Sequence, residues 1–241
     1  DHAGRVTLRL VAELSNAHNG DLTRAFRLLD AAKDAGATDA KIQVYTPDEL
    51  VALRGDGPAP EPWGGQGWTM RALYQKARTP LEWVPALFGH ASAIGLPLFA
   101  SVFGPESLAA CEAAGCPEYK LAALDYGRAD LFGAVLATGK PVIRSGRTPT
   151  AEPCDALMVW CPPGYPQAEP EMKALGMGYR GFSYHGTDPD IPAAAAILYA
   201  EYIECHFHLQ AEPSELEADV SLNEAQFARF VRRARWNRSL L

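Results

Sequence analysis

Seven residues with chemically useful side chains stand where apolar runs come to an end. Glu13 closes LVAE, Lys41 and Gln43 lie in AKIQV, and Lys120 lies in EYKLA. His185 follows GFSY, and Glu204 and His206 sit in YIECHF. Such residue types seldom occupy a core. One alone is best explained as a satisfied structural group, but several at matching positions on different strands point to a site. His185 and His206 end consecutive strands, close enough to share one divalent ion through imidazole nitrogens. The competing explanation is a pair of hydrogen-bonded core histidines. His208, on the same face as His206 by the period of two, is the spare ligand. Lys41 and Lys120 suit a clamp for phosphate and carboxylate, or one of them a Schiff base. The structural alternative is a salt bridge inside the fold, with Glu13 as partner. Ser101, Ser145 and Ser183, each at a strand end, add small donors suited to an anion.

The elements that must carry these groups alternate along the chain. Strand-like runs fall at 6–14, 40–45, 97–102, 118–122, 141–144, 157–161, 179–183 and 202–206. Helix-like runs fall at 22–35, 70–76, 81–94, 106–114, 129–137, 170–175, 193–200 and 224–234. Residues 55–67 hold five glycines and three prolines, which predicts a long loop. The alternation is that of an α/β protein, a TIM (β/α)8 barrel formed by residues 1–241 as one domain. In such barrels the catalytic groups come from strand C-termini and the loops after them. One unit departs from the pattern. Between Arg144 and Leu157 lies SGRTPTAEPCDA, with Pro149 and Pro153 inside it, too short for a crossover helix. Helix five is therefore expected to be missing or reduced to a loop, on which Arg147 is an exposed residue available to an anion.

Composition narrows the function classes. With 241 residues, 48% hydrophobic and 21% charged, the chain suits a soluble globular protein. The formal net charge of -7 argues against nucleic acid as a partner. Arg229, Arg232, Arg233 and Arg235 have the spacing of a solvated helix face. No apolar run is long enough for a membrane span, and no secretion signal opens the chain. Five cysteines without a CxxC pair imply reduced thiols and a cytoplasmic location.

In order along the chain, AELSNAHNGD (12–21), AGATDAKIQVYTPDEL, FASVF, PEYKLA, TGKPVIRSG, GYP, GFSYH, IECHF and the late DVS (219–221) together resemble the sialic acid synthases and their nonulosonic acid relatives. That resemblance implies condensation of phosphoenolpyruvate, or a related anionic keto acid, with an open-chain amino sugar or other aldehyde, with release of phosphate. It implies a manganese-type divalent ion on His185 and His206, with Mg²⁺, Co²⁺ or Zn²⁺ as alternatives, to polarise the aldehyde. Glu13 would act at the sugar or as an acid/base, and Gln43 would lie near the metal or its water. Lys41 and Lys120, with Ser145 and Ser183, would hold the donor, while Tyr165 and Asp219 would meet the sugar. Asp125 stands where the family carries a catalytic glutamate.

Departures from the family pattern are concentrated near that position. Ala123, Leu124 and Asp125 replace a serine, a glycine and a glutamate, and Val102, Pro163 and Tyr184 replace a threonine, an asparagine and an aspartate. These changes imply an acceptor other than the usual amino sugar. The alternative function is a barrel that has lost the condensation and serves as a binding or regulatory protein. The resemblance also implies a homodimer and a small C-terminal antifreeze-like domain. With the chain ending at Leu241, the barrel alone is expected here.

Overall fold

The computed structural model describes residues 7–148, 154–167 and 170–241. Eight parallel strands run in sequence order: β1 (Arg9–Glu13), β2 (Asp39–Val44), β3 (Leu98–Val102), β4 (Tyr119–Leu121), β5 (Val142–Gly146), β6 (Leu157–Trp160), β7 (Gly181–Tyr184) and β8 (Tyr202–Phe207). β1 also pairs with β8, so the sheet closes on itself. A two-residue strand, β9 (Ser221–Leu222), extends the ladder beyond β8. This is the expected TIM-type barrel. Its strands are buried on both faces, which is why they read as apolar runs and not as strict alternation.

The helices are α1 (Leu22–Asp34), α2 (Pro47–Arg54), α3 (Met70–Ala77), α4 (Val84–Ile94), α5 (Pro105–Ala113), α6 (Ala129–Leu136), α7 (Asp190–Ala194) and α8 (Glu224–Ser239). Asp21 caps α1 by accepting from Thr23 and Arg24 amides, satisfying donors that the first turn leaves free. Its buried face, Ala25, Leu28, Leu29 and Ala32, packs on the barrel core.

Among the described residues no helix links β5 to β6, as expected; Pro149 and Pro153, which motivated that expectation, lie outside the described residues, as does Val6 of the first expected strand. Three other expectations need correction. Residues 170–175 hold a single turn at Lys173 and Ala174 and a bridge from Leu175 to Tyr179, with no helix. Gly176 and Gly178, at φ 86° and 92°, end any helical run, and the Glu171 carbonyl is fixed by the Trp160 indole N–H at 2.6 Å. The helix expected at 193–200 begins earlier and ends at Ala194, with Pro192 in its first turn. Finally, α2 was not anticipated. Thr46 and Glu49 form a reciprocal capping box, and Gly55 at φ 79° ends the helix. Glu49 also accepts from the amides of Glu106 and Ser107, tying α2 to the start of α5. The loop from 55 to 69 folds back through Ala59 N–H to Trp68 O and Met70 N–H to Gly57 O, both 2.9 Å. Together α2, this loop and α3 build a wall above the C-terminal ends of β2 and β3.

Candidate active site

Strand register decides which side chains meet at the C-terminal mouth. Glu13 lies beside Lys41 and also beside His206, Ser101 beside both Gln43 and Lys120, and Ser183 beside Glu204. Directly paired residues point to the same face of a sheet, so all of these enter the barrel mouth together. They line a cavity of about 500 Å³.

Its floor is a buried ionic cluster. Lys120 Nζ donates to Glu204 Oε1 at 2.5 Å, and Lys41 Nζ stands 3.4 Å from the same oxygen. Lys41 also donates to Ser101 Oγ at 2.9 Å and contacts Glu13 Oε2. Ser183 Oγ donates to Glu204 Oε1 at 3.2 Å, and Tyr202 donates to Glu204 Oε2. Two lysines and two carboxylates thus share a site with almost no solvent exposure. Burial opposes the charge on each of them. For Lys41 it is outweighed by Glu13 and Glu204, which leave the ammonium more basic than usual. For Lys120 burial wins, with Lys41 adding repulsion, and its pKa falls. Glu204 is buried too, yet the two lysines hold it far below the carboxylate range.

Beside the floor stand the two histidines, ring centroids 5.0 Å apart. Burial, reinforced by His206, keeps His185 neutral. Burial would lower His206 as well, but Glu217 outweighs it and raises the imidazole pKa. Burial likewise opposes ionisation of Glu217, which His206, Tyr165 and Ser15 nevertheless bring down to about 2. Glu217 Oε2 lies 3.3 Å from His206 Nδ1, while Tyr165 donates to its other oxygen. A carboxylate facing Nδ1 is the arrangement that leaves Nε2 of a histidine for a metal. His185 is braced by Gln167, whose Oε1 accepts from the His185 amide at 3.0 Å and whose Nε2 lies 3.3 Å from His185 Nδ1. Among the described residues no three His, Cys, Asp or Glu side chains form a ready ligand cluster. The imidazole pair can therefore contribute two ligands to an ion completed by water and substrate oxygens.

The NeuB family model matches residues 28–241. The chain belongs to the NeuB family. Over 92% of its length it is 34% identical to a pseudaminic acid synthase of Helicobacter pylori, covering 72% of that protein. A pseudaminic acid synthase of Campylobacter jejuni is 30% identical across 96% of the chain and 74% of its own length. The fold matches an N-acetylneuraminic acid synthetase of Leptospira borgpetersenii with a TM-score of 0.83, covering 97% of this chain and 85% of that one at 22% identity. The chain is thus a sialic acid synthase-like enzyme of the transferase type, built on the barrel its sequence implied.

Within this NeuB barrel most of the residues singled out from sequence converge. Glu13, Lys41, Gln43, Ser101, Lys120, Ser145, Tyr165, Ser183, His185 and His206 all line the cavity, and exposed Arg147 reaches its rim. Ser145 Oγ is buried without a hydrogen-bond partner, a donor held ready. Two residues stand elsewhere. Asp219 is exposed and outside the cavity lining; Glu217 occupies the place expected for it. Asp125 is buried behind the wall, its carboxylate accepting from Arg54 Nη2 at 3.2 and 3.1 Å. His208 accepts from the Ser214 amide at 3.3 Å and does not line the cavity. The sequence reading missed Glu217, Gln167, Ser15 and Arg54. For Arg54 a signal existed, the Thr46-x-x-Glu49 capping box that begins its helix. For Gln167 there was none.

Proposed function

We propose that this NeuB-family enzyme joins phosphoenolpyruvate to the aldehyde of an open-chain acylamino sugar, producing a nonulosonic acid and inorganic phosphate. The observation that carries this reading is the cavity floor: two buried lysines held between Glu13 and Glu204, with an unpartnered serine hydroxyl beside them. A trianionic donor needs fixed positive charge and small hydroxyl donors in a water-poor pocket. Lys41, Lys120, Ser101, Ser145 and Ser183 provide them, and Arg147 adds a charge at the rim.

In this reading the donor's methylene carbon attacks the aldehyde carbon, and the aldehyde oxygen takes a proton. Water adds to the donor carbon that bears phosphate, and that adduct expels inorganic phosphate to leave the 2-keto acid. Glu13, fully buried beside Lys41 and His206, is placed to exchange the protons of these steps. Gln43 donates to Ser15 Oγ at 3.1 Å and orders the β1 side of the acceptor pocket. Tyr165, on Glu217, covers the histidine pair. His185 and His206 would hold a divalent ion of the manganese type, which would supply Lewis-acid polarisation of the aldehyde. All five cysteines are free, consistent with a cytoplasmic enzyme, and no helix among the described residues is long and apolar enough to cross a membrane.

The test is phosphate release from phosphoenolpyruvate with a panel of acylamino and plain aldoses, run with Mn²⁺ and then with chelator. Release that depends on one aldose and on metal supports the reading and names the acceptor. Phosphoenolpyruvate left intact across the panel, with metal bound, would sink it in favour of a barrel retained for binding.

A further inference from the structure

Arg54 is the last residue of α2 and lines the cavity from the wall that this helix builds. Its side chain keeps 24% of its exposure, while the Asp125 carboxylate that holds it keeps 2%. Both Asp125 oxygens are taken by one nitrogen, Nη2. No side-chain hydrogen bond among the described residues uses its other guanidinium nitrogens, so they remain as donors. The helix that carries Arg54 is rigidly placed at its other end, because Glu49 is bound into the first turn of α5. An arginine fixed this firmly at a cavity wall is preorganised to bind.

Its surroundings indicate what it binds. Leu50, Phe103, Ala123, Leu124 and Tyr74 line the same cavity, and Leu124 is 63% exposed. Arg54 and Asp125 together carry no net charge, so the pair attracts a second anion weakly but still offers strong donors to a neutral oxygen. A group with one acceptor oxygen and an apolar end fits this wall better than an anion or a run of hydroxyls.

We propose that Arg54, positioned by Asp125, is a specificity-determining residue that donates to the carbonyl oxygen of an acylamido group on the acceptor, whose alkyl end packs on Leu50 and Leu124. This rests on the function proposed above, and it gives Asp125 a positioning role instead of one at the reacting atoms. In the barrel Ala123 and Leu124 then serve acceptor choice, and their apolar character is part of the site's selectivity.

Equilibrium binding to the intact protein tests this without requiring turnover. The probes are open-chain hexitols carrying acetamido groups at C2, at C4 or at both, compared with plain hexitol; phosphoenolpyruvate is measured in parallel. The native protein should prefer an acetamido hexitol by about tenfold, the worth of one charge-assisted hydrogen bond. Arg54→Met should abolish that preference and leave phosphoenolpyruvate affinity within twofold, which also reports an intact fold. Asp125→Asn should weaken the preference, and Asp125→Glu should restore part of it. No acetamido preference in the native protein, or an undiminished one in Arg54→Met, overturns the inference. Failure of the native protein to bind phosphoenolpyruvate would instead overturn the proposed function, whatever the hexitols show.

Discussion

At the N-terminal mouth of the barrel, Arg9 donates to Glu118 at 3.0 and 2.7 Å and to Asp39 at 2.9 Å, with its guanidinium over the rings of Phe99 and Tyr202. At the C-terminal mouth, Lys41, Lys120, Glu13 and Glu204 form a cluster of similar size. Both ends therefore keep charges away from water, which is costly unless each is paired. They differ in what is left over. None of the polar atoms of Arg9, Asp39 or Glu118 is among the buried side-chain atoms lacking a hydrogen bond. At the other end Ser145 Oγ is, while Glu13 Oε2 meets the Lys41 ammonium and Glu217 Oε2 meets His206 Nδ1, each as an ion pair. Pairing without remainder marks a plug that closes the barrel. Pairing with a buried hydroxyl to spare marks a surface waiting for a ligand.

The comparison predicts that charge removal acts on different observables at the two ends. The largest effect is on activity at the C-terminal end. Lys120→Met should lower kcat/KM for the phosphate-releasing reaction by about 10²–10³-fold, the range for loss of one preorganised charge contact. Its cost in stability should be the smaller change, because Glu204 keeps Lys41, Ser183 and Tyr202. At the other end Arg9→Met should lower unfolding free energy by about 2–3 kcal/mol, somewhat under the full value for a broken buried pair because Arg9 is 26% exposed. Its kcat/KM should stay within about twofold of native. Denaturant midpoints and steady-state kinetics on both variants check the pair; a Lys120→Met protein of native activity would erase the distinction.

Much of this contrast was legible in the sequence, and the illegible parts share a cause. Polar residues at the ends of apolar runs are conspicuous because a parallel barrel buries both strand faces, so Glu13, Lys41, Lys120, His185 and His206 stood out. Residues from irregular segments did not. In SELEAD the three carboxylates Glu215, Glu217 and Asp219 look alike, and periodicity cannot rank them. What selects Glu217 is the pairing of Ser221 with His206, which exists only in the folded ladder. Asp125 was read as a group at the reaction, but its short side chain, buried beside Arg54, acts on the cavity through that arginine. The absent helix at 170–175 is a case where a helix-like run, PEMKAL, is too short to form one before Gly176 and Gly178.

The C-terminal end should also make the fold sensitive to acid. His18, in the loop after β1, is buried and accepts from the Gly20 amide at 3.0 Å through Nδ1. Burial, with Arg24 adding to it, lowers its pKa to about 4. The unfolded chain, near 6.5, binds a proton that the native state refuses, so stability is complete above pH 6.5 and falls as pH drops from 6.5 toward 4. The loss should be about 2 kcal/mol by about pH 5. Denaturant midpoints should fall less steeply over that window in His18→Gln, with buried His185 supplying the remaining slope, and an unchanged slope would remove His18 from the account.

The smallest effect separates the ends most cleanly, because it compares two single hydroxyls, half-buried Thr38 and buried Ser145. Thr38 Oγ1 at the N-terminal end accepts from Leu10 N–H at 2.8 Å and donates to Asp39 at 2.7 Å. Ser145 Oγ at the C-terminal end has no partner. Thr38→Val deletes satisfied bonds and strands the Leu10 amide, so it should cost about 1 kcal/mol of stability and leave the KM for phosphoenolpyruvate unchanged. Ser145→Ala deletes a hydroxyl already deprived of a partner, so stability should hold within about 0.5 kcal/mol or rise, while that KM climbs about tenfold. Opposite signatures from two single-oxygen deletions can only arise if the unpaired hydroxyl is held for a ligand. If Ser145→Ala behaves as Thr38→Val does, the unpaired oxygen has a structural partner after all, and the leftover hydroxyl ceases to mark the site.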